Sequence, residues 1–259
     1  MKLVQIEPAY QAPQLLYSLT KVDVKTLICP DGNFYDILSS IVPELRNYRE
    51  SGVEINARQV PSLKIVILKS NKPHRGTYLL NDVINSATNE SLEKINQLQN
   101  VIQPDDGCNI QFSSGTTGFP KAVLLSHRAL VNNGYILGHW IQTKSIDPRI
   151  VLPTQFCHAS GTILGTLCNL VLGRTIILPS PMFDAKKTVD AIVQERGTII
   201  FGTPTLYVDM MDVVAREKPL YGMTEIGIPL ISWPDDPLEK TTSTVGCLTY
   251  HLEVCANKA

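Results

Sequence analysis

The chain has 259 residues, with 23 Lys and Arg against 24 Asp and Glu and a formal net charge of −1. This balance argues against a nucleic-acid or anionic-membrane binder, because either partner selects a surplus of basic side chains. The hydrophobic fraction of 44% and the charged fraction of 18% are typical of a folded globular protein, so disorder and fibrous repeats are disfavoured.

From the sequence we expect no targeting segment, disulfide framework or membrane span. Its first residues include Glu7 and two prolines, which fit neither a secretory signal nor an Arg-rich transit peptide. Six cysteines form no Cys-x-x-Cys pair, which favours a reduced compartment over disulfides or a zinc site. Polar residues interrupt the charge-free stretch 150–173, so it predicts buried core rather than a transmembrane segment.

Short apolar runs alternate with amphipathic segments along most of the chain. This rhythm predicts the alternating strands and helices of an α/β fold. Pro13 is placed to begin a first helix, and residues 26–28 predict a strand that stops at Pro30. A helix over residues 34–45 and a buried strand over residues 63–68 follow.

An exposed helix is predicted over residues 90–103, where apolar residues recur every three positions in a polar stretch. Ser126 is placed to cap a later helix that runs to Trp140. The other predicted elements are strands over 109–112, 122–125, 175–178 and 198–201 and helices over 161–172, 184–196 and 205–216. The alternation of predicted strands and helices stops near Pro219, and the chain then becomes loop-rich.

Hydroxyl-bearing residues, glycines and one cation follow the strand predicted over 109–112. The run is Ser113, Ser114, Gly115, Thr116, Thr117, Gly118, Phe119, Pro120 and Lys121. Such residues can bind phosphate, because glycines expose backbone N–H groups, hydroxyls donate hydrogen bonds and lysine supplies charge. A Walker A loop is disfavoured, because Pro120 precedes Lys121 and Ala122 follows it. By composition alone, a plain surface turn is the favoured interpretation.

The complete run resembles the phosphate-binding loop of the adenylate-forming superfamily, Ser-Gly-Thr-Thr-Gly-x-Pro-Lys followed usually by Gly. Ala122 replaces that last glycine. The segment 221–225, Tyr-Gly-Met-Thr-Glu, is similar to the Tyr-Gly-x-Thr-Glu motif of the superfamily and follows in the same order. Further segments resemble the medium-chain acyl-CoA synthetases within it, at 7–12, 195–198, 202–205 and 208–210. The resemblance extends along nearly the whole chain but covers only the middle of such an enzyme.

The resemblance implies an AMP-forming fatty acid–CoA ligase. Such enzymes join a medium-chain carboxylate to the α-phosphate of ATP, release pyrophosphate and let CoA displace AMP. It therefore implies ATP, Mg²⁺ and CoA, small-molecule substrates rather than nucleic acid, and a mitochondrial location. Without a targeting segment, the chain as given would be cytoplasmic. Luciferases and peptide-synthetase domains share the loop but resemble the rest of the chain less.

By the same resemblance, Ser113, Ser114, Gly115, Thr116, Thr117 and Gly118 would hold the β- and γ-phosphates. Lys121 would supply the counter-charge, Thr224 would hydrogen-bond the α-phosphate and Tyr221 would pack near the adenine. Glu225 would ligate Mg²⁺, a cation that prefers carboxylate oxygens. The implied catalytic residues are thus Lys121, Thr224 and Glu225. Taken alone, Thr224 and Glu225 are more typical of the first turn of a helix.

His158 lies in a segment that resembles the acyl pocket of the superfamily, where an aromatic residue directly precedes the histidine. Here Cys157 occupies that place and Phe156 comes one position earlier. The resemblance implies that His158 contacts the substrate, and a hydrogen-bonded core histidine is the alternative. His127 and His139 are interpreted as helix residues without a catalytic role.

Compared with the family, the chain is expected to be incomplete. Residues 1–227 would form a partial AMP-binding domain, and 228–259 a loop-rich tail that begins the next subdomain, with the small C-terminal domain missing. Several tens of residues near the adenine would be absent between Tyr207 and Tyr221. The alternative to a ligase is a non-catalytic nucleotide- or acyl-binding truncated paralogue or splice fragment, which could associate with a full-length relative.

Overall fold

A computed structural model describes residues 1–113, 119–141, 148–211, 213, 220–223, 227–231 and 247–248. The strands are β1 (Leu3–Gln5), β2 (Thr26–Pro30), β3 (Ile65–Lys69), β4 (Tyr78–Leu79), β5 (Gly107–Ser113), β6 (Lys121–Ser126), β7 (Arg149–Val151), β8 (Thr175–Ile177), β9 (Ile199–Ile200), β10 (Leu220–Met223), β11 (Gly227–Ile231) and β12 (Cys247–Leu248). The α-helices are α1 (Ala12–Lys21), α2 (Asn33–Ile41), α3 (Leu80–Asn85), α4 (Asn89–Leu98), α5 (His127–Trp140), α6 (Cys168–Val171), α7 (Ala185–Gln194) and α8 (Pro204–Met211). A 3₁₀-helix spans Pro43–Asn47, and a π-helix spans Ser160–Leu167.

The chain divides into two compact units. Unit 1 comprises residues 1–5, 107–113 and 123–259, and unit 2 comprises residues 6–106 and 114–122. Within the described residues, no helix combines the length and the apolar character that crossing a membrane requires.

Unit 2 contains a three-stranded parallel sheet in the order β2-β3-β4. Val66, Ile67 and Leu68 are all buried because β3 is the central strand. Helix α1 begins at Ala12, one residue before the predicted start, so Pro13 is its second residue. The helix predicted over 34–45 instead ends at Ile41, and a 3₁₀-helix follows. Pro43 explains the break, because proline in a helix interior removes a backbone donor and clashes with the preceding turn.

Helix α4 is exposed, as its polar composition predicts, and none of its residues is buried. The side chain of Thr88 accepts a hydrogen bond from the N–H of Ser91 and caps the first turn. The helix ends at Leu98, earlier than the predicted residue 103. Gln103 precedes Pro104, and a residue before proline is disfavoured in helical conformation.

Unit 1 contains two further sheets built around parallel strands. In one, β5 lies between β1 and β6, and β1 pairs in parallel with β5. In the other, β7 lies between β8 and β9 and pairs in parallel with both. Strands β10, β11 and β12 form an antiparallel sheet. Together with the helices, these sheets confirm the predicted α/β fold class.

The helix predicted over 161–172 is a π-helix followed by α6. Side chains explain part of this difference, because they hydrogen-bond to carbonyl groups four and five residues earlier. Thr166 Oγ1 donates to the Gly161 carbonyl, and Asn169 Nδ2 donates to the carbonyls of Leu164 and Gly165. The part of the helix predicted over 205–216 that follows Met211 lies mostly outside the described residues.

Candidate active site

The predicted phosphate loop connects β5 to β6, which are neighbours in one sheet. Ser113 ends β5 and is buried, whereas Lys121 begins β6 and is exposed. An exposed ammonium group is accessible to an anionic ligand. The residues between them that carry the predicted phosphate contacts lie outside the described residues, namely Ser114, Gly115, Thr116, Thr117 and Gly118. Their binding role stays a prediction.

An aromatic stack in unit 2 holds the end of this loop. The ring of Phe119 stacks on that of Tyr17 in α1, with centroids 4.6 Å apart and planes inclined by 23°. Stacking of this kind contributes about 0.5–1.5 kcal/mol beyond area burial. Phe119 is still 59% exposed, so the stack restrains the chain just before Lys121 without burying it. Our sequence analysis did not predict this contact.

A buried polar network lies between β1, β5 and the π-helix in unit 1. Gln111 Nε2 lies 3.0 Å from Gln5 Oε1 and 2.9 Å from Thr162 Oγ1. Thr162 Oγ1 also lies 2.7 Å from the carbonyl oxygen of Phe156 and 3.0 Å from Gln5 Oε1. Asn109 Nδ2 lies 3.4 Å from Gln5 Oε1. The parallel register explains the contact of the two glutamines, because it pairs Gln5 with Gln111.

The sequence carries one signal for this network, which is not among our predictions. Asn109 and Gln111 are polar residues two positions apart in a predicted strand, so they point to the same face of the sheet. Both are buried, and Gln111 has no exposed surface. A buried polar side chain requires hydrogen-bond partners. The pattern could have predicted a polar contact but not its partner Thr162, which lies 51 residues away.

His158 is exposed and lies in a turn before the π-helix. The carbonyl oxygen of His158 accepts a hydrogen bond from the N–H of Thr162, over 2.9 Å. A Cβ atom at Gly161 would overlap the carbonyl oxygen of Gln155, so only glycine allows this turn to pack against the helix. The alternative that His158 is a core residue is wrong, because its side chain is exposed. Contact with an acyl substrate stays a prediction.

The second sequence motif falls largely outside the described residues. Tyr221 belongs to β10, and its backbone pairs with Leu230 in β11. Thr224 and Glu225 lie outside the described residues, so α-phosphate binding and Mg²⁺ ligation stay predictions. His139 is a helix residue as predicted, and its Nδ1 lies 2.8 Å from the carbonyl oxygen of Tyr135.

The segment between β5 and β6 is rich in hydroxyl-bearing residues and glycine. Residues 1–220 match the family of AMP-binding enzymes. Because this match covers most of the chain, the chain belongs to that family.

Several curated proteins of known name are similar to this chain. The chain is similar to the mitochondrial medium-chain acyl-CoA ligase ACSF2 of Macaca fascicularis, with 39% identity over 218 residues that cover 81% of this chain and 35% of the relative. The Mus musculus protein of the same name is 32% identical over 294 residues, covering 97% of this chain and 47% of the relative. The chain thus spans between a third and a half of these relatives. The second alignment is longer than the chain, so that relative has internal residues that this chain lacks.

Solved structures support the same fold. ATP-bound MatB from Rhodopseudomonas palustris superposes with a TM-score of 0.66 and 19% identity, covering 94% of this chain and 48% of MatB. At this identity the similarity shows the fold alone. It agrees with the mixed α/β fold class that the sequence predicts.

Proposed function

We propose that this chain provides the nucleotide- and acyl-binding part of an AMP-forming, medium-chain fatty acid–CoA ligase. The match of residues 1–220 to the AMP-binding enzyme family carries this proposal. The relatives named as medium-chain acyl-CoA ligases support the acyl substrate, and their names support a mitochondrial location. The partners would be small molecules, namely ATP, a medium-chain fatty acid and CoA.

The proposed reaction begins when the carboxylate of the fatty acid attacks the α-phosphate of ATP. Negative charge then concentrates on the phosphate oxygens, so catalysis depends on positioning and on neutralising charge. Residues 113–118 would hold the β- and γ-phosphates, and the exposed Lys121 would provide positive charge. Thr224 would donate to the α-phosphate, and Tyr221 would pack near the adenine. The carboxylate of Glu225 is the donor type that Mg²⁺ prefers.

The acyl substrate would lie beside His158. The exposure of this side chain and the tight turn before the π-helix support this proposal. We also propose that residues 1–227 form a partial AMP-binding domain and that residues 228–259 begin a further subdomain.

The proposed function is tested by measuring ATP·Mg²⁺ binding to the purified chain with isothermal titration calorimetry. Lys121→Ala should weaken ATP binding about tenfold or more, because a charge-assisted hydrogen bond contributes about 1.5–3 kcal/mol. Lys64→Ala is the matched control, since Lys64 is also an exposed lysine of unit 2. Equal ATP affinities for both variants would contradict the assignment of Lys121, and no ATP binding by the wild type would contradict the function.

Production of AMP separates a ligase from a non-catalytic binder. Octanoate and CoA are added to the chain with ATP and Mg²⁺, and AMP is measured. AMP that depends on both substrates and is lost in Lys121→Ala would establish the complete reaction. ATP binding without AMP would favour the non-catalytic alternative, and repeating the assay with a full-length relative would then test association between the two.

A further inference from the structure

The hydrogen atoms of the buried network can be assigned from its geometry. Gln111 Nε2 carries two hydrogens, and they are directed to Gln5 Oε1 at 3.0 Å and Thr162 Oγ1 at 2.9 Å. The hydroxyl of Thr162 has a single proton. Of its two acceptors, the Phe156 carbonyl oxygen at 2.7 Å is nearer than Gln5 Oε1 at 3.0 Å, so we assign this proton to the Phe156 carbonyl. The result is a directed chain from Gln111 through Thr162 to Phe156.

These hydrogen bonds join the two segments to which we assign ligands. Gln111 lies two residues before Ser113, where the proposed phosphate loop begins. Phe156 lies two residues before His158, the proposed acyl contact. Gln111 has no exposed surface and Thr162 is 9% exposed, so water cannot readily replace either hydrogen bond. The two segments therefore share one buried hydrogen-bond network.

We propose that Gln111 and Thr162 are positioning residues that couple the acyl segment to the phosphate loop. Ordering of residues 155–158 by a fatty acid holds the Phe156 carbonyl against Thr162, and Thr162 in turn holds Gln111 and the end of β5. Fatty acid and ATP then strengthen each other's binding by the same factor, because coupling between two sites is reciprocal. This inference rests on the proposed function.

Three variants isolate the coupling. Thr162→Val keeps the shape of the side chain and removes both the donor to Phe156 and the acceptor for Gln111. Thr162→Ser retains the hydroxyl and should restore the coupling. Thr166→Val is the matched control, because the Thr166 hydroxyl donates to the Gly161 carbonyl within the same π-helix, over 3.0 Å.

The first readout is the ratio of ATP dissociation constants without and with saturating octanoate. We expect a ratio of about five or more in the wild type and a ratio near one in Thr162→Val. Thr162→Ser and Thr166→Val should keep the wild-type ratio. A wild-type ratio of one, an unchanged ratio in Thr162→Val, or an equal loss in Thr166→Val would overturn the proposal.

The second readout needs no ligand. Hydrogen exchange measured by mass spectrometry should be faster at the amides of residues 109–113 in Thr162→Val than in Thr166→Val. If Thr162→Val does not fold, Thr162→Ala is measured in the same way. Equal exchange would overturn the positioning role. Absence of ATP binding together with faster exchange would reject the proposed function and the coupling of ligands, and would leave the link between the two segments established.

Discussion

At the residue scale, one carboxylate in unit 2 connects the ends of two parallel strands. Asp31 follows β2, and Ser70 follows β3. Ser70 Oγ donates to Asp31 Oδ2 over 2.7 Å, His74 Nε2 lies 2.9 Å from the same oxygen, and the N–H of Gly32 donates to Oδ1 over 2.8 Å. These contacts, led by the hydrogen bond from Ser70, lower the pKa of the Asp31 carboxyl below 3.8.

The ionised form of Asp31 should therefore stabilise the folded protein. Its pKa is lower in the folded state than in the unfolded state, so its contribution is present above about pH 4 and is lost as the pH falls through the folded-state pKa. The wild type should be more stable than Asp31→Asn at pH 5, and this difference should shrink at lower pH. Urea denaturation at a series of pH values measures it.

Ser70→Ala provides the partner comparison, because it removes the hydrogen bond with the largest effect on this pKa. The difference in stability between the wild type and Ser70→Ala should also shrink as the pH falls. It should be smaller than the difference between the wild type and Asp31→Asn. A difference between wild type and Asp31→Asn that stays constant from pH 5 to about pH 2.5 would contradict the assigned pKa shift.

Two buried thiols should resist alkylation, because burial keeps them protonated. Burial raises the pKa of Cys29 and of Cys168 to about 12, from an ordinary value of 9.0. Since the thiolate is the reactive form, its fraction at pH 8 falls about 1000-fold. Iodoacetamide should leave both cysteines unmodified in the folded protein and modify both in guanidinium, as peptide mass spectrometry would show. Modification at equal rates in both states would contradict their burial.

At the scale of single elements, α5 packs closely against the end of the π-helix and the residues that follow it. A Cβ atom at Gly138 would lie 2.8 Å from Leu172 Cδ1 and 3.0 Å from the carbonyl oxygen of Cys168. At Gly134, the nearest atom would be Leu167 Cβ, at 3.0 Å. The two glycines therefore allow a close approach that no other residue permits without displacing atoms.

Gly138→Ala should destabilise the protein by about 1 kcal/mol. The gain in helix propensity is about 0.5–1 kcal/mol, and overpacking against a backbone oxygen costs about 1–3 kcal/mol. Asn132→Ala is the control, because Asn132 is an exposed residue of the same helix, and it should leave stability unchanged or slightly higher. Urea denaturation followed by circular dichroism measures both. Stabilisation by Gly138→Ala would show that the packing relaxes.

At the scale of the whole molecule, the buried and exposed apolar residues of unit 2 should differ sharply in their contribution to stability. Leu68 has no exposed surface, whereas Ile95 in α4 is 57% exposed. Leu68→Ala should lower the free energy of unfolding by about 2–5 kcal/mol, and Ile95→Ala should change it by less than about 0.5 kcal/mol. A large loss in Ile95→Ala would mean that α4 is covered in solution by a surface that the described residues do not include.

The elements that sequence predicted correctly are those with local signals. The proline near the start of α1 is one, and the cap of α5 is another, since Ser126 Oγ accepts from the N–H of Ala129 over 3.1 Å. Asp184 likewise caps α7 by accepting from the N–H of Lys187, over 2.9 Å. Strand β1 was missed because three residues are too short for a period to be recognised, and its pairing with β5 is a long-range contact.

By itself, the sequence determined the α/β class, the family and the position of the proposed phosphate loop, because each depends on residues that are close together in the chain. Only the tertiary structure decided that His158 is exposed, that a π-helix replaces the predicted α-helix, and that Gln111 contacts Thr162. The contact of Gln111 depends on a partner 51 residues away in sequence, and the exposure of His158 depends on the packing around it. Burial and hydrogen bonding of that kind are settled by packing, which local propensity does not encode.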